Sequence, residues 1–218
     1  MKNKRKGLLA VLLVMVIAVA SISAYFTDTE TVTNTFTIGE VDIELTEPNW
    51  DALPDANDNE IPDVAENIVP SQIIIKDPKV TNVGINDAFI FVEVEVPYAS
   101  IITVQDNGTR NAKTETELFT YTVNNGWVEL GTGTKDTTKK VVKHTYAYGN
   151  SEKLTVVVKD VSTSSLFDSV TFVNAIEGQG LENSTKAINI TAKAIQTTNL
   201  NGGISDPAGV LAIINNQL

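Results

Sequence analysis

"FIFVEVEVP", residues 89–97, places Ile90, Val92, Val94 and Val96 on one parity and Glu93 and Glu95 on the other. Side chains alternate faces along a β-strand, so the run reads as a strand with one apolar and one polar face. A helix would scatter the same four aliphatic residues around its axis. Glu93 and Glu95, on the polar face, read as solvated rather than as a catalytic carboxylate pair.

Further short runs with strand composition lie to the C-terminal side. "LFTYTVNNGWVELG", residues 118–131, reads as a hairpin joined at Asn124, Asn125 and Gly126. "VVKHTYAYG" from Val141, "LTVVVKDV" from Leu154 and "SVTFV" from Ser169 read as three more strands. "AINITAKAIQTTN", from Ala187, puts Ile188, Ile190, Ala192 and Ala194 on one face. Turn residues separate these runs at fairly even intervals. That spacing favours an all-β, jelly-roll-like antiparallel β-sandwich over a parallel α/β sheet. One short helix is expected in "DPAGVLAIINNQL", with Asp206 as N-cap and Pro207 at its first position.

Two stretches break the series: an acidic, Pro-containing insert at 48–69 and a polar loop from Asp106 to Thr116. Gly39 marks a different break. Before it Phe26, Val32, Phe36 and Ile38 share even parity; after it Val41, Ile43 and Leu45 share odd parity. A change of face at a glycine predicts a bend or strand break, and hence two extended segments.

Lys2, Lys4, Arg5 and Lys6 precede an almost wholly apolar run from Gly7 to Ala20, closed by the small residues Ser21, Ser23 and Ala24. This is the layout of a secretory signal peptide, with cleavage expected between Ser23 and Ala24. An uncleaved membrane anchor is the alternative. The organisation expected is thus a signal peptide at 1–23, an extended segment at 24–38 and a single β-sandwich domain at 39–218. The whole chain carries −11 and the basic head +4, which leaves −15 after processing. Such a charge disfavours nucleic acid and anionic membranes and suits divalent cations or basic partners. Membrane contact is expected only during export. There is no cysteine, so an exported chain must rely on packing, strand pairing or metal ions.

The sharpest motif is "DANDNEIPDVAE", residues 55–66. Counted from Asp55, oxygen-bearing side chains fall at positions 1, 3, 5, 9 and 12: Asp55, Asn57, Asn59, Asp63 and Glu66. Ile61 stands at position 7, where a backbone carbonyl would serve. This is the ligand spacing of a calcium loop, since a hard cation needs six to eight oxygens. Glu60 occupies position 6, where such loops use glycine for a sharp turn. The alternative is a solvated acidic loop. Zinc hydrolysis finds little footing: the one histidine, His144, lies in a strand run beside Tyr146 and Tyr148, with no HExxH. No GxSxG frames a serine, and no LPxTG tail offers covalent anchoring. Trp50 and Trp127 read as packing residues rather than a sugar-stacking pair.

With its basic head and short apolar core, the chain resembles the TasA/camelysin family. The likeness rests on "AYFTDTETVTNTFTIGEVDIEL" at 24–45, "KDPKVTNVGINDAFIFVEVEVP" at 76–97 and "SVTFVNAIEGQGLENSTKAINITAKAIQT" at 169–197. The resemblance implies a jelly-roll sandwich exported with a SipW-type signal peptidase and found as a secreted, extracellular-matrix or cell-surface protein. It also implies a biofilm matrix fibre, a homo-polymer in which the mature N-terminus of one subunit enters the sheet of the next. Phe26, Val32, Phe36 and Ile38 would then fill pockets of the neighbour; the alternative is that 24–38 folds back as an ordinary first strand. Some camelysin relatives are described as casein-cleaving metalloproteases, which makes a secreted protease the rival reading. A monomeric surface-binding module is the third.

Overall fold

The computed structural model describes residues 40–217. The expected signal cleavage at Ser23 and Ala24 and the apolar row Phe26, Val32, Phe36 and Ile38 lie outside the described residues. In chain order the elements are β1 (Ile43–Thr46), α1 (Pro48–Asp51), a 3-10 turn (Asp63–Ala65), β2 (Ile73–Ile75), β3 (Lys79–Asn82) and β4 (Ala88–Ile101). There follow β5 (Thr114–Glu117), β6 (Phe119–Thr120), β7 (Trp127–Glu129), β8 (Thr134–Asp136), β9 (Val141–Tyr148), β10 (Ser169–Phe172), β11 (Asn189–Gln196) and α2 (Pro207–Gln217).

The fold is an all-β sandwich with few short helices, and every strand pairing is antiparallel. The main sheet runs β11-β4-β9-β7, with β5 paired to the end of β4 and β8 to β9. A three-stranded sheet β2-β10-β6 and a ribbon β1-β3 supply the facing layer. Ile90, Val92, Val94 and Val96 of β4 are buried against Ile74, Val80, Phe119, Val170 and Phe172 of that layer. The apolar parity read in residues 89–97 is therefore the inner face of the sandwich.

β4 is long because it changes partners. Residues up to Pro97 pair with β11 and β9, and Tyr98 to Ile101 pair with β5. Proline has no N–H for the ladder, and it stands here where one partner hands over to the next. The first residues of β4 are buried on the other face too. Phe89 and Phe91 pack with Ala147, Ile195, and Val210 and Ile214 of α2. Asp206 caps that helix as expected: Gly209 N–H donates to its Oδ1 at 2.8 Å.

Four expectations need correction. Glu93 and Glu95 are not simply solvated. Glu93 binds Lys193 at 2.9 Å and Lys143 at 3.4 Å, and Glu95 binds Lys139 at 3.0 Å. Burial pushes the Glu93 carboxyl up, but Lys193 and then Lys143 outweigh it and hold it below its ordinary pKa. Residues 118–131 do not form a hairpin: β6 pairs with β10 and β7 with β9, so the stretch crosses between sheets. Asn124 is occupied elsewhere, donating to Ser165 O and to Asp168 Oδ1 rather than closing a two-residue turn. "LTVVVKDV" makes isolated bridges, Leu154 to Gly149 and Val157 to Ala88, instead of a strand. The polar loop ends earlier than read, because Thr114 to Thr116 already belong to β5.

Val41, Ile43 and Leu45, the odd-numbered row, pack against the core, while the expected break at Gly39 lies outside the described residues. The lead-in to β1 is clamped by backbone. Val83 and Gly84 N–H donate to Asp42 O, and Ile85 and Asn86 N–H donate to Glu40 O. Gly84 permits this approach, since a Cβ there would sit 2.5 Å from Asp42 N and 2.8 Å from Glu40 O.

Candidate functional site

The acidic loop folds back on itself around Glu66. Asn57 Nδ2 donates to Glu66 Oε1 at 3.0 Å and Asn59 Nδ2 donates to the same oxygen at 2.6 Å. Those two bonds hold the Glu66 carboxyl below its ordinary pKa. Asp55 accepts from the N–H groups of Asn59 and Glu60, at 3.3 and 2.8 Å, and Asp63 accepts from Ala56 N–H at 3.0 Å. Ile61 N–H donates to Asn59 Oδ1 at 2.9 Å. All six residues of the calcium spacing are thus brought into one loop. Glu60 takes φ +67° and Asp58 φ +56°, so position 6 is in the left-handed turn that the motif requires, without glycine. Among the described residues, however, no three His, Cys, Asp or Glu side chains gather closely enough to hold a metal ion. Two of the three carboxylates are turned onto backbone N–H groups instead.

His144 sits on the inner face of β9 and is clamped from both sides. Its Nε2 lies 3.0 Å from Glu117 Oε2 and its Nδ1 lies 2.7 Å from Glu129 Oε1. Glu117 ends β5 and Glu129 ends β7, so the imidazole ties three strands together. Gly133 closes over the ring; a Cβ there would lie 3.0 Å from His144 Cε1. The adjacent Tyr146 hydroxyl shares a 2.9 Å hydrogen bond with Tyr121, and burial pushes both phenols up, Tyr146 to about 12. Glu117 first, then Glu129, outweigh the opposing burial and raise His144 to about 9. With a carboxylate on each ring nitrogen, this arrangement offers no nitrogen to a zinc ion. The sequence placed His144 beside its tyrosines but gave no sign of the two glutamates, which lie 27 and 15 residues away.

This clamp predicts a pH response. Below the unfolded pKa near 6.5 the imidazolium is present in both states and the clamp stabilises fully. As pH rises through about 9 the folded protein loses that contribution. NMR titration of the single histidine is expected to give a midpoint near 9. His144→Gln is expected to flatten stability between pH 6.5 and 9. A midpoint at or below 6.5 contradicts the clamp.

The third feature is a sheet edge. Among the described residues β11 pairs only with β4. Its inner-facing Ile190, Ala192 and Ala194, with Ile188 just before it, are only partly buried, as are Val41, Ile43 and Leu45 across the same core. Eight residues of edge span about 27 Å at the ordinary strand rise. Trp127, by contrast, is a packing residue: it is buried and its Nε1 donates to Ser164 O. Trp50 lies beneath Lys76, with Nζ 4.7 Å from the ring centroid.

Set beside known protein families, curated proteins and solved structures, the chain matches none of them.

Proposed function

We propose that this chain is an exported structural subunit, of the TasA/camelysin kind, that polymerises by donating residues 24–38 to the β11 edge of a second copy, an edge that no described strand pairs. The observation that carries the reading is that edge, with its half-covered row Ile188, Ile190, Ala192 and Ala194. An added strand would pair its backbone with β11 and place one apolar row over the exposed part of the core. Phe26, Val32, Phe36 and Ile38 have the parity for this, and the segment reaches the described domain at Glu40. Asp28 and Glu30 share that parity and would lie at the wet rim.

Calcium would steady the acidic loop in this reading. Asp55, Asn57, Asn59, Asp63, Glu66 and the Ile61 carbonyl would supply the oxygens, with the two asparagine amides turned to present Oδ1 rather than Nδ2. Calorimetry is expected to show weak binding, at roughly 10⁻⁴ to 10⁻³ M as in extracellular modules, lost on changing Asp55 and Asp63 to alanine. No heat with the unaltered chain, or the same heat with the variant, removes calcium from the proposal.

The self-assembly reading is tested by deletion. Processed protein lacking residues 24–38 is expected to remain monomeric by light scattering and electron microscopy under conditions where the complete processed chain forms fibres. Fibres forming at an unchanged rate defeat strand donation.

A further inference from the structure

We infer that a second sheet edge, that of β2, is a docking surface for a cationic β-strand of another polypeptide. This goes beyond the self-assembly reading and does not depend on it.

Among the described residues β2 pairs with β10 alone, which leaves its other backbone edge without a strand. Ile74 faces the core, while Ile73 is 65% and Ile75 46% exposed. Ile61, Val64 and Val69 are exposed as well. Two of these, Val64 and Val69, are tied to the start of β2. Gln72 straps the insert to the start of β2: its Nε2 donates to Val64 O at 2.7 Å, and its Oε1 accepts from Val69 N–H at 2.9 Å. Just past the end of the strand, Asp77 accepts from Asn49 N–H and Trp50 N–H of α1. The insert is therefore tied down next to both ends of β2.

A bare edge of three β-branched residues invites pairing, and natural sheets commonly blunt such edges with lysine or proline. β2 has neither. The surrounding charge indicates what the edge accepts. The insert at 48–69, tied down next to both ends of β2, holds six acidic side chains and no lysine, arginine or histidine. The next basic residue, Lys76, is buried and paired with Glu47 at 2.7 Å. A second copy of so acidic a chain meets like charge here, as does its segment 24–38, which carries Asp28 and Glu30 and no basic residue. A strand alternating lysine or arginine with aliphatic residues suits all three properties of the site. Its backbone extends the ladder, its aliphatic row packs beside Ile73 and Ile75, and its cations meet the acidic insert.

The test uses the complete processed chain and the dye-labelled heptapeptide Lys-Val-Lys-Val-Lys-Val-Lys, read by fluorescence anisotropy. Two comparison peptides replace lysine with glutamate or valine with serine. Saturable binding of the lysine–valine peptide is expected, with both comparison peptides at least about tenfold weaker. Ile73→Lys and Ile75→Lys are each expected to weaken it by about tenfold or more, while Val156→Lys, at an exposed aliphatic position elsewhere, leaves it unchanged. Circular dichroism of each variant checks that it is folded. Equal binding of the lysine–serine peptide, tighter binding of the glutamate peptide, no binding at all, or indifference to Ile73→Lys and Ile75→Lys in folded protein each overturns the inference.

Discussion

Changing Phe91 to alanine is expected to lower the unfolding free energy by about 3–5 kcal/mol, because Phe91 is fully buried and its loss leaves a cavity that a rigid strand cannot collapse. Its surroundings make the site unforgiving. β4 is paired on both sides, and Phe91 is packed with Phe89, Ala147, Ile195 and the α2 residues Val210 and Ile214. A domain with typical stability of about 5–15 kcal/mol would lose a large share of it. Urea titration followed by the fluorescence of buried Trp127 measures the change. Phe91→Leu, which keeps most of the volume, is expected to cost markedly less. A loss below about 1 kcal/mol for Phe91→Ala would mean that α2 does not pack on the sheet in solution.

Asn82→Ala is the second large loss, at about 3 kcal/mol, since it removes three hydrogen bonds from one fully buried position, each worth about 1 kcal/mol. Asn82 is completely buried in the last position of β3. Its Nδ2 donates to Asn86 O at 2.9 Å and to Val157 O at 2.8 Å, and its Oδ1 accepts from Gly84 N–H at 3.1 Å. One side chain thus organises the β3–β4 turn and joins it to the segment around Val157. Asn82→Asp separates the two roles: it keeps the acceptor but removes both donors. It is expected to fall below the unaltered protein and, because it also buries a charge, no higher than the alanine variant. If Asn82→Ala is neutral, water has taken the place of the amide and the turn is looser than described.

Those two residues also show what was legible in the sequence. Phe91 lies in the alternating run that pointed to the class of fold, on the same parity as Glu93 and Glu95 rather than on that of the aliphatic row. Only the docking of α2, more than a hundred residues later, turns that end of the face into a second core. Strand positions with regular alternation, such as β4, β9 and β11, were readable because the period of two survives whatever packs on them. The crossing at 118–131 was not, because a local turn signal at Asn124–Gly126 looks alike whether the two runs pair together or leave for different sheets. The acidic loop was recognisable from spacing, and Glu60, read as the departure from the motif's glycine, takes a positive φ. The glutamates that hold His144 could not be found, since pairing across three strands leaves no periodic trace. The edges of β2 and β11, unpaired among the described residues, were equally hidden, because sheet order is a property of the whole topology.

The backbone clamp at Glu40 and Asp42 has a mechanical consequence. Were a filament pulled through its proposed linking segment, tension would enter each subunit at this root. There four N–H groups converge on two carbonyls, next to the β1–β3 ladder. Drawn along the strand axis, these bonds bear the load together and must fail together; drawn sideways, they unzip singly. The material would resist stretching far better than peeling, and Gly84, by letting the two strips of backbone lie so close, would govern how well each joint withstands strain.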